Sequence, residues 1–248
     1  MKYRIFTALA LFFVVSVCSS AANAQIPDQL AQDLVAGRAP NGEEMAQIEK
    51  DAAAKPMDLH AVRRLGKAYF FQFFGDGMNE SIPKAETTLN RALTIQKDDP
   101  ETVAYLGALY IIRGQRVYEK DAVKQKADYD RGFELVKKAE SLAPDHGAVM
   151  SIAAATYIYL PDSYGMAPHV VGLLEGMLKG MGPYFQKMSH HGQQRILLTL
   201  GQAYMRTGQP EKARGKFDEA LKVDGSSDEA ILIKKELRKL DPVAEKAH

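Results

Sequence analysis

QRILLTLGQAYMRTGQPEKARGKFDEALKVDGSS, residues 194–227, decides the fold. Within it Leu200-Gly201, Tyr204, Gly208, Ala213, Phe217 and Ala220 follow the spacing L-G-x-x-Y-x-x-x-G-x-x-x-x-A-x-x-x-F-x-x-A. Two amphipathic helices joined by a tight turn at Thr207-Gly208-Gln209-Pro210 put these residues on one shared face, because positions three and four apart align on a helix. Gly201 and Ala220 are small where two helix backbones must come close. Tyr204 and Phe217 fill the space on either side.

This pattern resembles the tetratricopeptide repeat, a helix–turn–helix unit of about 34 residues. The resemblance implies an all-α fold, a right-handed α-α superhelix of about four hairpins with capping helices at its ends. It also implies that the first helix of each pair lines a concave groove holding an extended or helical peptide.

Working outward, Leu65-Gly66 and Tyr69 reproduce the first-helix signature, and Ala85, Leu89 and Ala92 the second. Leu106-Gly107, Tyr110 and Gly114 follow, with Gly132, Val136 and Ala139 as a displaced second helix. The polar stretch 115–128 between them extends that helix backward from about Asp121 or projects as a loop. The third unit is the most degraded: Ala153-Ala154 replaces Leu-Gly, Tyr157 keeps the aromatic place, and Leu160-Pro161 begins a break before Val170, Leu174 and Met177. Tyr69 to Tyr110 exceeds the 34-residue period by 7, and Tyr110 to Tyr157 and Tyr157 to Tyr204 each exceed it by 13. The extra residues fall in loops marked by Gly and Pro, among them 74–79, so the register holds. Residues 27–37 and 43–55 read as capping helices. Residues 227–240 read as a last amphipathic helix with Ala230, Ile231, Ile233, Leu237 and Leu240 on its buried side.

The N-terminus carries a different message. Lys2 and Arg4 precede the apolar run 5–17, and Ala22-Asn23-Ala24 is a small-x-small cleavage signature. The expected organisation is a signal peptide (1–24), capping helices (25–57), a repeat domain (58–240) and a tail (241–248). Export to the periplasm or outside the cell follows. Membrane association is expected only if Cys18 is lipidated, and Val17 before it is not the small residue such a site wants. Cys18 is the single cysteine, so the mature chain relies on packing alone. The formal charge of +1 becomes −1 once Lys2 and Arg4 are removed, which argues against bulk nucleic-acid binding.

The groove stripe of the first helices contains His60, Arg63, Lys67 and Phe71, then Glu101, Ala104, Ala108 and Ile112, then Ala148, Ser151, Ala155 and Tyr159, and finally Arg195, Leu198, Gln202 and Arg206. That predicts a groove basic at both ends and apolar in the middle, suited to an apolar ligand with acidic groups. The run Tyr69-Phe70-Phe71 with Phe73-Phe74 cannot all face one core. It forms an exposed contact patch or lies under the following loop. His190-His191 reads as a solvated connector, and no metal or cofactor is expected. No catalytic motif is present in the mature sequence. The function expected is a non-catalytic scaffold for a protein or peptide partner, with a periplasmic small-molecule carrier as the alternative.

Overall fold

The computed structural model describes residues 39–76 and 79–241. The expected leader with Cys18, the helix expected over 27–37, the Phe74 side chain and the residues beyond Asp241 lie outside that description. Every regular element among the described residues is helical: α1 (Gly42–Ala54), α2 (Leu59–Asp76), α3 (Ser81–Ile95), α4 (Pro100–Arg116), α5 (Ala122–Leu142), α6 (Gly147–Tyr157), α7 (Ala167–Met181), α8 (His190–Arg206), α9 (Pro210–Val223) and α10 (Asp228–Leu240). Hairpins α2–α3, α4–α5, α6–α7 and α8–α9 stack in chain order, with α1 and α10 packed at the two ends. The fold is an all-α superhelix of helical repeats.

Local chemistry sets the boundaries. Asn41 and Glu44 form a reciprocal capping box at the start of α1. Asp99 accepts from the Thr102 amide at the start of α4, where Pro100 occupies the first turn. Asp121 caps α5, so the polar insertion resolves into a short turn and a helix beginning at Ala122. Ser189 accepts from the Gly192 amide, and this cap draws His190 and His191 into the first turn of α8. The expected connector histidines are therefore helical. Gly208, at φ +70°, lets the chain reverse after α8 as the Gln209 amide bonds back to the Tyr204 carbonyl. The loop expected from residue 74 begins later, because α2 runs through Asp76.

Within hairpins α2–α3, α4–α5 and α8–α9 glycines mark the closest approach. A Cβ on Gly107 would stand 2.8 Å from the Gly132 carbonyl oxygen, and one on Gly132 would stand 2.6 Å from the Gly107 oxygen. A Cβ on Gly201 would meet the Phe217 ring at 2.3 Å. Leu65, Leu106 and Leu200 pack beside these crossings, and Ala213, Phe217 and Ala220 are fully buried opposite Gly201. Ile231 departs from expectation. It is 65 % exposed, because α10 turns Ala230 and Ile233 inward and leaves position 231 on the outer side.

Between hairpins a second device recurs. Tyr69 donates to Glu49 of α1 at 2.7 Å, Tyr110 to Glu86 of α3 at 2.5 Å, Tyr157 to Glu140 of α5 at 2.7 Å, and Tyr204 to Glu175 of α7. Each acceptor follows a buried residue by one position: Ile48, Ala85, Ala139 and Leu174. The helix before each tyrosine thus supplies the acceptor, and α1 takes that role for the first unit.

Two outcomes are expected from this packing. Gly107→Val forces a side chain against backbone and costs roughly 1–3 kcal/mol, read as a lower denaturation midpoint. Burial, reinforced by the glutamate bond, raises the Tyr69 and Tyr204 phenols from 10.0 to about 12 and pushes Tyr110 and Tyr157 the same way. The unfolded phenol ionises near 10, so this stabilisation is complete below that pH and is lost as pH rises through the folded values. Phenolate absorbance and loss of helical circular dichroism should therefore rise together above pH ~10, later than for a free phenol.

Candidate peptide groove

Helices α2, α4, α6 and α8 share one concave face, with about 970 Å³ of space inside it that is open to solvent. Phe71 and Phe70 stand at the α2 end, followed by Tyr105 and Ala108 of α4. Ala148, Ser151, Ile152, Ala155 and Thr156 of α6 form the middle. His191, Gly192, Arg195, Ile196 and Thr199 of α8 form the far wall. Of the stripe read from sequence, Phe71, Ala108, Ala148, Ser151, Ala155 and Arg195 lie here. The aromatic run divides by direction: Phe70 and Phe73 are buried, Tyr69 turns to α1, and Phe71 meets Phe70 and Tyr105 edge-on at 5.4 and 6.0 Å. Tyr105 and His191 were not expected here, and neither belongs to the stripe.

The expected basic ends are corrected by the geometry. Arg63 lies 3.0 Å from Asp99 and 3.3 Å from Glu101, and Lys67 lies 2.8 Å from Glu101. Their side chains are only 15 and 12 % exposed, and the two carboxylates 7 and 8 %. Asp99 and Glu101 sit at the N-terminus of α4, where backbone amides and the helix dipole favour negative charge. The two cations of α2 therefore neutralise the start of the next first helix, and ion pairs this well enclosed hold units together.

Arg206 is consumed in a comparable way. Its Nε lies 2.6 Å from Asp162 Oδ1, while Nη1 and Nη2 donate to the Ile158 and Leu160 carbonyls at 2.7 Å each. The Thr156 and Tyr157 carbonyls that close α6 accept from the Tyr159 and Leu160 amides, and the guanidinium takes the carbonyls of the turn that follows. Gln202 donates to Glu236 of α10 at 3.3 Å. Ile112 is fully buried in the core between the first two hairpins and does not line the groove, because α4 is covered on nearly every side. Tyr159 packs between the two larger cores rather than on the lining.

What remains is a groove with an apolar, small-residue centre and polar chemistry on the α8 wall. Arg195 and His191 are the basic residues in it, and among the described residues no carboxylate lines it. His191 Nδ1 lies 2.8 Å from Glu229 of α10, which fixes the ring at the rim. Among the described residues no group of three or more His, Cys, Asp or Glu is placed to hold a metal. No described helix is long and apolar enough to cross a membrane.

The interunit tie has a pH signature. Burial alone would raise the Asp99 carboxyl, but the two Thr102 bonds and the Arg63 guanidinium outweigh it and hold the value below 3.8. Its contribution is complete above the unfolded value and is lost as pH falls through the lowered folded one. Asp99→Asn should lower the melting temperature at neutral pH, and the gap to the natural chain should narrow as pH drops below ~4. A constant gap in thermal unfolding across that range would remove Asp99 from this role.

Comparison with known proteins places a boundary on identity. The tetratricopeptide repeat family matches residues 194–227, the hairpin α8–α9 with the turn that leads into α10. No curated protein matches the chain. Together with the all-helical stack, the match supports a TPR-like helical-repeat architecture, and repeats of that family generally mediate protein–protein interaction.

Proposed function

We propose that this chain is an exported, non-catalytic scaffold that binds a protein partner by holding a peptide segment in the concave groove. The observation that carries the reading is continuity. Four first helices in succession contribute to one uninterrupted lining, from Phe71 of α2 to Arg195 of α8. Extended or helical segments bury apolar side chains in such a trough and gain specificity from a few polar contacts at its edge. Export rests on Lys2, Arg4, the apolar run 5–17 and Ala22-Asn23-Ala24, a pattern that directs secretion and leaves a mature chain beginning at Gln25.

The test uses the mature chain as bait in the periplasmic extract of its own host. Reversing Arg63, Lys67 or Arg206 is a poor control, since each holds the stack together. Phe71→Ser with Arg195→Glu instead alters both ends of the lining. Partners retained by the natural chain should be lost from this folded double variant. Identical captured sets would remove the groove as the binding surface.

A further inference from the structure

The two ends of the stack are each half of a hairpin. Glu49 of α1 accepts from Tyr69 as Glu86, Glu140 and Glu175 of the second helices accept from the tyrosines that follow them. The helix α1 therefore stands in the place of a second helix, with no first helix before it among the described residues. At the other end α10 packs on α8 and α9 as a first helix packs on the hairpin before it, and no described second helix follows it. In α8, Gln194 donates to the Ala220 and Asp224 carbonyls at the end of α9, and Gly201 faces the Phe217 ring. The stripe of Gln194, Leu197 and Gly201 thus holds the second helix of that unit. One 34-residue period later the same stripe of α10 reads Asp228, Ile231 and Lys235, and all three are exposed. Leu232 beside them is exposed as well.

The outer side of α1 carries the complementary pattern. Glu43, Ala46 and Lys50 are exposed at spacings of three and four residues, with exposed Ala53 and Ala54 beyond them. Among the described residues none of Glu43, Lys50, Asp228 and Lys235 has an ion pair. Laid antiparallel, the orientation that short connections impose on helical hairpins, the two stripes match over about 10 Å of helix. Asp228 meets Lys50, Ile231 meets Ala46, and Lys235 meets Glu43. We propose that α10 of one copy and α1 of a second copy dock in this way, completing one hairpin between two chains and joining copies head to tail. A terminal helix that only faced solvent would be polar along this stripe, whereas this one keeps Ile231 and Leu232 at its centre. Lys235, in the place of Gly201, holds the visiting helix farther out than α9 stands from α8, so the contact is reversible and weakened by salt. The two faces differ, so the association is heterologous and leads to rings or filaments. It uses the ends of the stack and is independent of peptide binding in the groove.

Sedimentation velocity of the mature chain from ~1 μM to ~1 mM tests the pairing. The natural chain should pass from monomer to larger assemblies as concentration rises. Lys235→Glu sets a carboxylate against Glu43 and should weaken association at least ~5-fold, as should Ile231→Asp. Lys235→Glu combined with Glu43→Lys restores an opposite pair at every junction and should bring association back to within ~3-fold of the natural chain. Circular dichroism establishes that each variant folds. If Glu43→Lys frays α1, the swap of Asp228→Lys with Lys50→Asp reads the other end of the stripe. Oligomers that neither Lys235→Glu nor Ile231→Asp weakens would overturn the pairing, as would a loss that both swaps fail to restore. A monomer at every concentration would also overturn it. Protection of an Ala46→Cys thiol from alkylation in that monomer would assign the α1 face to the chain's own residues 25–38 instead.

Discussion

A buried phenol that must find an acceptor governs the way the hairpins stack. Tyr110 and Tyr157 are almost wholly enclosed, and Tyr204 nearly so, so an unbonded hydroxyl there would carry a large desolvation cost. Each finds its carboxylate on the helix that precedes its own hairpin. The bond therefore forms only at one rotation and one translation between neighbouring units. Apolar packing between helices tolerates sliding; a directed bond to a charged acceptor does not. The glycine crossings do the complementary job inside three of the hairpins, and in α4–α5 the Gly107–Gly132 contact brings two backbones together without intervening side chains. Curvature, and with it the groove, is inherited from these two constraints repeated along the chain.

Charge is arranged by the same stacking. Arg63 and Lys67 meet the acids that open α4, Arg206 meets the carbonyls of the turn after α6, and Gln202 meets Glu236 of α10. Each pairing crosses from one first helix toward the next. A residue on the groove stripe stands at the seam between units as well as over the trough, and the seam claims the long polar side chains first. The short residues Ala108, Ala148, Ser151 and Ala155 cannot reach across, so they are left to form the floor.

The architecture was legible because it depends on residues whose size alone decides the outcome. Glycine at 66, 107 and 201 and aromatics at 69, 110, 157 and 204 fix hairpins and register without reference to any partner. The tyrosines' acceptors were not legible. Glu49, Glu86, Glu140 and Glu175 occupy one face of their helices but different turns of it, because insertions of unequal length separate them from the tyrosines. No constant spacing survives in the sequence. The groove was half legible for a related reason. Helical periodicity identified a stripe, but it cannot say which carboxylate the adjacent helix sets opposite each cation. Glu101 was on the stripe, and its contact with Lys67 depends on how far α4 slides along α2. The histidines at 190 and 191 were misplaced because one serine, Ser189, moves a helix start by capping it.

The third unit shows why departures from the repeat are informative. A regular first helix in place of α6 would continue past Tyr157. Instead the chain breaks at Leu160-Pro161, and Arg206 reaches over from α8 to hold the break in place. The stack tolerates the lost turn because the Tyr157–Glu140 and Tyr204–Glu175 bonds still set the spacing of the units on either side. Local regularity has been given up where the surrounding structure is strong enough to keep its shape.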